Sequence, residues 1–578
     1  MVARNPLGFL PGSLPTVMMQ SKPESSVPGM SESRTDLLAT VAGLPAHPFL
    51  FALATIMATL GEVKFGLLWQ ESLPALTILE IIIAVVFACC LLLAKDRHKA
   101  GLASSSFLAW FVLYRVALEG TVMVSRSVLS APLPAWLFLL VYCVLGVAGL
   151  LVLLKDRWTF KEKTVTIQHQ SATGSLNLVS LIMIVFSLLP LYFFYSELEQ
   201  LSAQMQTEMR AELKLSGIVA ARKPDIYYIM ADGFPGSQTL HEFWRYDNTP
   251  FIDFLKARRF CVVEKSASNY DRTFFSLAST MNMQYLHDPV GFYKKHPGHM
   301  YAYDWLSQHN SVMRLLKQLG YRLINVSSGD GSTRDMPDAD LNIAASPVNM
   351  FTAAFLQLTP IFTLESYFHM IRDQLIRVEL APGERLPEIV KMDSPKFVLI
   401  HSMLSHQPYI FDDRGNPLPL DPALQNQAGN PESFLKQLKF TESQLEKWID
   451  IILSSAKEPP VIMLQSDHGP QFATDTISEF YNEHMRNLGA YLVPGCDRPP
   501  DQSMTNVNSF RQLFNCYFQA NLPPLPNKAF CAANADDFDL KEVYSQLDFS
   551  HGDKGWHFKT MPNKGEIINL LHASKPGF

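Results

Sequence analysis

The sequence predicts a two-part protein: five transmembrane helices on the N-terminal side, then an α/β domain whose mostly parallel sheet is flanked by helices. Three observations predict it. Apolar residues make up 48% of the 578, and they are concentrated before residue 196. Beyond residue 222, short apolar runs alternate with longer helical stretches, the pattern of an α/β domain. Within that second part, Asp467-His468-Gly469 follows the apolar run 461–464, at a position where parallel sheets build their sites.

Five apolar windows are long enough to cross a bilayer as helices: 48–69, 73–94, 101–124, 133–154 and 175–195. The second and fourth carry the clearest signal. The third carries Arg115 and Glu119, four residues apart on one helix face and so able to pair. Glu62, Lys64 and Glu80 also fall in spans, where a mid-bilayer charge costs about 2.5–3.5 kcal/mol on insertion scales. Such charges either neutralise one another within the bundle or line a headgroup pocket at the membrane surface.

Basic residues fix an orientation. Lys95, Arg97 and Lys99 lie between spans two and three, and Lys155, Arg157, Lys161 and Lys163 between spans four and five. The other two turns are nearly free of Lys and Arg. The N-terminus is therefore expected in the cytoplasm, and everything after residue 195 on the outer side. Residues 1–46 lack a basic n-region and a continuous apolar h-region, so they read as a disordered cytoplasmic tail and not a signal peptide. Residues 196–222 place Leu198, Leu201, Met205, Met209 and Leu213 at helical spacing, which predicts an amphipathic interfacial linker; a plain solvated linker is the alternative.

In the outer part, 223–545, strands are expected at 225–230, 260–264, 322–326, 396–400 and 460–464, with 490–493 also strand-like. Helices are expected at 273–286, 304–319, 433–454 and 508–517. The tail 546–578, with Trp556, His557 and Lys559, has no clear role. Of the seven cysteines, Cys261, Cys496, Cys516 and Cys531 fall in this part; one or two disulfides among the last three are expected, with the pairing open. The formal charge is 48 − 54 = −6, and no nucleic-acid partner is expected.

Four motifs carry chemistry, each ending or following an expected strand. In the first, an apolar strand delivers Asp232, followed by Gly233; Asp232 is either a hard anionic metal ligand or a turn residue. In the second, Asn269-Tyr270-Asp271-Arg272-Thr273 enters a helix at Thr273. Its hydroxyl would sit among free N–H groups at the positive helix end, as a nucleophile, as an N-cap, or as both. A divalent cation lowers the pKa of bound water from about 15.7 to about 7 and should acidify a threonine hydroxyl in the same direction. In the third, His401 and His406 lie just past a strand, able to bind anionic oxygens or protonate a leaving group. The fourth is Asp467-His468-Gly469, which alone also makes an ordinary turn. Mixed oxygen and nitrogen ligation suits Zn²⁺ or Mn²⁺ better than Mg²⁺ or Ca²⁺. The set as a whole suits displacement at phosphorus or sulfur through a covalent enzyme ester.

The order and spacing of these motifs resemble the alkaline phosphatase/sulfatase superfamily. Within it, the five-span architecture looks like the lipoteichoic acid synthases and the lipid A phosphoethanolamine transferases of bacterial envelopes. The resemblance implies that Asp232, Thr273, Asp467 and His468 bind the catalytic metal, with Thr273 the nucleophile. Thr273-x-x-Ser276-Leu277 is similar to the transferase nucleophile segment, and His401-x-x-x-x-His406-x-Pro408 to the transferase histidine motif, whose members bind substrate or a second metal. One departure is Asp232, where those transferases usually have Glu and sulfatases have Asp. Type I sulfatases need a Cys or Ser converted to formylglycine; Cys261 is followed by Val262-Val263 and does not fit their motif, and a threonine cannot be converted.

The expected function is thus a transferase of the bacterial inner membrane with its catalytic domain in the periplasm. It would move a phospho-headgroup, phosphoethanolamine or phosphoglycerol, from a phospholipid through Thr273 to an envelope glycan or lipid A. His406 would assist proton transfer, and His401 and Asn269 would contact substrate. Asn282, Arg334, Glu483, His484 and Arg486 are further candidates, with capping or solvated-surface roles as alternatives. The rivals are a membrane-anchored phosphodiester or sulfate-ester hydrolase, and a non-catalytic membrane protein retaining the fold.

Overall fold

The structure is a computed structural model. It describes residues 43–550 except 63–68, 130–133, 155–156, 161–162, 167–168, 214–217, 219, 221, 297–298, 300–301, 345–349, 362, 365–369, 419–430, 471, 473–475, 498 and 533–538. The expected tail up to residue 42, Lys64 and the C-terminal stretch with Trp556, His557 and Lys559 lie outside the described residues.

The N-terminal half is helical: α1 (His47–Glu62), α2 (Ser72–Ala94), α3 (Arg97–Val112), α4 (Tyr114–Leu129), α5 (Ala135–Leu153) and α6 (His169–Glu212). A short antiparallel hairpin, β1 (Arg157–Phe160) with β2 (Lys163–Thr166), precedes α6. Among the described residues, three helices are long and apolar enough to cross a membrane: Trp69–Ala94, Ala135–Leu153 and His169–Arg210. The third expected span is instead two helices bent by 50° at Leu113, and it makes a fourth crossing only if the pair counts as one. Just past that bend Arg115 Nε donates to Glu119 Oε1 at 2.5 Å, so its charges do pair. Of the first expected span, the described residues show the apolar helix His47–Gly61, and 63–68 lie outside them. Ile81, Leu92, Leu145 and Phe186 point outward from these helices, as side chains facing lipid do.

Helix α6 does not stop at the end of its apolar run. It continues unbroken through the expected linker to Glu212, so span and linker are one 44-residue helix. Met209 and Leu213 bury against the outer domain, and Gln206 Nε2 donates to the His309 carbonyl at 2.9 Å. The two halves also meet at Phe351 and Phe355, which pack into the apolar cluster of α1, α2 and α3, and at an ion pair between Glu71 and Arg334.

The outer domain is a seven-stranded sheet: β3 (Ile226–Ala231), β4 (Cys261–Val262), β5 (Arg322–Ser327), β6 (Leu341–Ala344), β7 (Lys396–Ser402), β8 (Val461–Gln465) and β9 (Gly489–Leu492). Their order is β4-β9-β8-β3-β7-β5-β6. The sheet is mixed: four neighbouring pairs are parallel, and β9 runs antiparallel to both its neighbours. Its three central strands, β8, β3 and β7, are buried along their whole length, as their near-continuous apolar sequences require. One apolar cluster covers each face, one including Ile229, Ile400, Ile462 and Trp448, the other Tyr228, Leu399, Met463 and Phe510. Each such side chain taken fully out of water contributes about 1.5–3 kcal/mol.

Among the helices on this sheet are α7 (Thr273–Asn282), α8 (Ala302–Gln308), α9 (Ser311–Gln318), α10 (Met370–Ile389), α11 (Pro431–Ser455), α12 (Ile477–Met485) and α13 (Val507–Phe518). The helix expected at 304–319 is two, because Asn310 caps a new one by accepting from Met313 N. Cys496 and Cys516 form a disulfide with Cα atoms 5.6 Å apart, joining the chain after β9 to α13, while Cys531 is buried and free.

Candidate active site

The register of the sheet builds the site. Met230 in β3 lies opposite His401 in β7 and opposite Gln465 in β8. Asp232 and Asp467 are each two residues past that level, so both carboxylates emerge at the same height beyond adjacent parallel strands. His401 itself lies within β7, which runs two residues further than the sequence predicted. Gly233 follows Asp232 with φ +71°, a turn that only glycine makes without strain, and its N–H donates to Asp467 Oδ1 at 3.2 Å.

Thr273 reaches these groups from another segment. It is the first helical residue of α7 and not its cap; that position belongs to Arg272. Its half-buried hydroxyl lies 3.2 Å from Asp232 Oδ2 and 3.2 Å from His468 Nε2. His468 Nε2 lies 3.2 Å from Asp467 Oδ2. The His468 Nδ1–H donates to the Gly469 carbonyl at 2.8 Å, which leaves the Nε2 lone pair facing Thr273.

Asp232, Asp467 and His468 offer one ligand atom each, all within 4.8 Å of one another. Asp232 Oδ1 and Asp467 Oδ2 are buried without a hydrogen-bond partner among the described residues. A buried carboxylate oxygen left so carries a penalty of about 1–3 kcal/mol or more. Two such oxygens converging beside an imidazole lone pair fit a divalent cation.

The electrostatics agree. Burial pushes both carboxyls up; for Asp232 this is outweighed by the charge of His406, the His401 hydrogen bond and His468, which hold it well below the usual range. Asp467 stays raised, by burial and then by the Asp232 charge. Burial works against charging His468, but Asp467 and Asp232 raise its pKa regardless. The pocket stabilises positive charge.

The surrounding contacts hold the set in place. His401 Nε2 lies 3.1 Å from Asp232 Oδ2, and its Nδ1 lies 2.7 Å from Thr333 Oγ1 and 3.0 Å from Ser328 Oγ. Ser405 Oγ donates to the Asp232 carbonyl at 2.7 Å, and Ser276 Oγ to the Asp467 carbonyl at 2.9 Å. Gly469 is sterically required, since a Cβ there would stand 2.5 Å from the Glu483 carbonyl. His484 bridges this loop to the one before Thr273: its Nδ1 lies 2.8 Å from the Gly469 carbonyl and its Nε2 2.8 Å from that of Asp271. Burial, with His468 nearby, pushes the His484 pKa down to about 3, against the carbonyls at both ring nitrogens, which favour the charged form.

Several expectations change at this point. Both ring nitrogens of His401 are engaged, so it steadies Asp232 and has none left for substrate. Asn269 accepts from Val507 N at 2.6 Å and donates to the Lys528 carbonyl at 2.7 Å, which ties down the loop before Thr273. Asn282 likewise accepts from Ser311 N at 2.9 Å. Glu483, His484 and Arg486 are buried and not on a solvated helix end; Arg486 pairs with Glu242 at 2.8 Å. His406 is only half-buried, its ring centroid 6.4 Å from that of His468, on the open side of the site. Thr333, Ser328 and Ser405 were not singled out from the sequence. A hydroxyl residue is common, and only strand adjacency, with Val326 opposite Ile400, shows that 328 and 401 meet.

No protein-family model and no curated protein matches the chain. Solved structures similar to it come from enzymes of the alkaline phosphatase/sulfatase superfamily, phosphoethanolamine transferases among them. The integral membrane protein lipooligosaccharide phosphoethanolamine transferase A from Neisseria meningitidis is 11% identical, with a TM-score of 0.35, over 83% of this chain and 95% of that one. The C-terminal periplasmic domain of EcEptC from Escherichia coli, in complex with Zn, is 11% identical with a TM-score of 0.39, over 58% of this chain and 96% of that one. The lipoteichoic acid synthase LtaP from Listeria monocytogenes is 14% identical with a TM-score of 0.33, over 54% of this chain and 78% of that one.

Proposed function

We propose that the chain is a membrane-bound, metal-dependent transferase that moves a phospho-headgroup from a phospholipid to an envelope glycan or lipid A through a covalent Thr273 ester. The observation that carries this is the Thr273 hydroxyl, accessible and 3.2 Å from both Asp232 and His468, beside the buried carboxylates of Asp232 and Asp467.

Asp232, Asp467, His468 and the Thr273 oxygen would hold the cation, Zn²⁺ or Mn²⁺ by the mix of donors. Bound there, it supplies a lowered hydroxyl pKa and countercharge for the transferred group. Thr273 Oγ attacks phosphorus and its proton passes to solvent water on the accessible side, from which the departing Thr273 oxygen regains one in the second step. The bond from phosphorus to the diacylglycerol oxygen breaks, and His406, on the open side, protonates the leaving oxygen. The phospho-headgroup stays on Thr273. A sugar hydroxyl then attacks the same phosphorus, His406 takes its proton, and Thr273 is regenerated. His401 acts by holding Asp232 Oδ2 in place, with Thr333 and Ser328 fixing its ring.

The apolar helices account for a lipid donor, which must be met at the bilayer surface. Basic residues between the helices favour a cytoplasmic N-terminus, and an odd number of crossings then puts the site on the periplasmic side of a bacterial inner membrane.

The test is diacylglycerol release from mixed bacterial phospholipids by the full chain in vesicles, with and without lipid A or envelope glycan. The reading expects release that rises on adding acceptor and falls on the order of 10⁴-fold or more in Thr273→Ala. Release indifferent to acceptor, with free phospho-headgroup as product, assigns the chain to hydrolysis.

A further inference from the structure

A second group of metal-ligating side chains lies away from the catalytic site, where α6 leaves its apolar run. Glu197 is two residues past Tyr195 on α6. His296 and His299 sit in the segment that follows the short helix Pro289–Lys295. The three offer one ligand atom each within 4.8 Å of one another. Glu197 Oε1 lies 2.9 Å from His296 Nδ1, and Glu197 Oε2 lies 3.8 Å from His299 Nε2.

We propose that Glu197, His296 and His299 form a second divalent-cation site of the zinc class, which clamps the outer domain to the membrane helix. Two imidazoles and a carboxylate are a ligand set that zinc takes with a fourth position open. Ligands about 2.0–2.1 Å from a tetrahedral ion stand roughly 3.3 Å apart; the 2.9 and 3.8 Å contacts run to the two different Glu197 oxygens, so a carboxylate turned between the two rings comes within reach of that spacing.

The two histidines are well covered for such a role. The His299 side chain is 11% exposed and that of His296 15%. The Phe194 ring stacks on His299 with centroids 4.7 Å apart, and its carbonyl accepts from His299 Nε2 at 3.3 Å, a hydrogen that a bound cation would displace. Phe292 packs against His296 with centroids 5.3 Å apart. The site joins two parts of the chain about a hundred residues apart, so an ion there ties the catalytic domain to α6 at its exit from the apolar span. It uses none of the residues assigned to catalysis and does not depend on that assignment.

The experiment counts metal in the full chain in nanodiscs after loading with Zn²⁺ and exhaustive washing. Three proteins are compared: the unaltered chain, Asp467→Asn/His468→Gln, and that variant with His296→Gln/His299→Gln added. The proposal expects two, one and no equivalents. It also expects the Asp467→Asn/His468→Gln protein, loaded with Co²⁺ instead, to show the visible d–d absorption of a low-coordinate nitrogen and oxygen site, which needs no further substitution and so no assumption about its folding. One equivalent in both the unaltered chain and the Asp467→Asn/His468→Gln variant would keep this clamp and remove the catalytic metal. An Asp467→Asn/His468→Gln variant holding no Zn²⁺ and giving no Co²⁺ absorption overturns the clamp and leaves the catalytic reading intact. One equivalent surviving in the fourfold variant overturns it too.

Discussion

Thr273 and His468, 195 residues apart in the chain, bring a hydroxyl oxygen and an imidazole lone pair to within 3.2 Å of each other. Neither depends on its own flexibility for this. Thr273 is fixed as the first residue of α7, and His468 by the hydrogen bond from its other ring nitrogen to the Gly469 carbonyl. On the proposed reading, a hydroxyl at the positive end of a helix, facing two buried carboxylates and an imidazole, would lose its proton and attack.

His401 tests whether the shell behind the ligands matters. His401→Gln removes the partner 3.1 Å from Asp232 Oδ2. Metal affinity should fall about 10–100-fold, as for other groups that orient a ligand. Turnover at saturating metal should fall much less, and KM for the lipid should stay constant. Chelator competition followed by kinetics at high metal checks this; a raised KM with unchanged metal affinity would return His401 to the substrate.

Gly469→Ala should be costly for a steric reason. The new methyl would stand 2.5 Å from the Glu483 carbonyl and 3.1 Å from the His484 carbonyl, both backbone atoms of α12. Forcing them apart should cost about 1–3 kcal/mol and shift His468, lowering both Tm and bound metal. A variant with unchanged Tm and metal content would show that the loop relaxes freely.

Glu442 on α11 should make stability pH-dependent. Burial pushes its pKa up to about 8 from an ordinary 4.5, although Tyr246 donates to it at 2.7 Å. The fold therefore favours the protonated acid. Its contribution is fully present below pH 4.5 and is lost as pH rises through about 8. Glu442→Gln, neutral throughout, should flatten the fall in Tm across that window; an unchanged slope would assign the dependence to other groups.

Much of this was legible in the sequence because strands in a buried sheet announce themselves. The central runs 226–230, 396–400 and 461–464 are apolar without alternation, and chemistry-bearing residues follow each. Those runs put the motifs at strand ends, and the family resemblance joined Asp232, Asp467 and His468 as one ligand set, which the structure brings within 4.8 Å. The edge strand β6, only Leu341–Ala344, carries too little apolar sequence to stand out, and α10 contains Pro382 and Pro387, which argue against a helix. The pocket's outer layer was opaque for a different reason. Asn269 and His401 have the right chemistry for substrate, and only their hydrogen bonds show it spent elsewhere. The antiparallel β9 and the bend at Leu113 are set by tertiary packing that a linear pattern does not encode. Glu197 lies 99 residues before His296, and no motif joins it to the two histidines.

The central claim, a covalent phospho-headgroup ester on Thr273, is tested most directly by peptide mass spectrometry of the full chain after incubation with bacterial phospholipids and Zn²⁺ but no acceptor, beside Thr273→Ala. The account predicts an adduct on the Thr273 peptide, lost on adding acceptor and absent from the variant, with a mass that names the headgroup. Diacylglycerol release with Thr273 unmodified at every time point, or release that persists in Thr273→Ala, would contradict it.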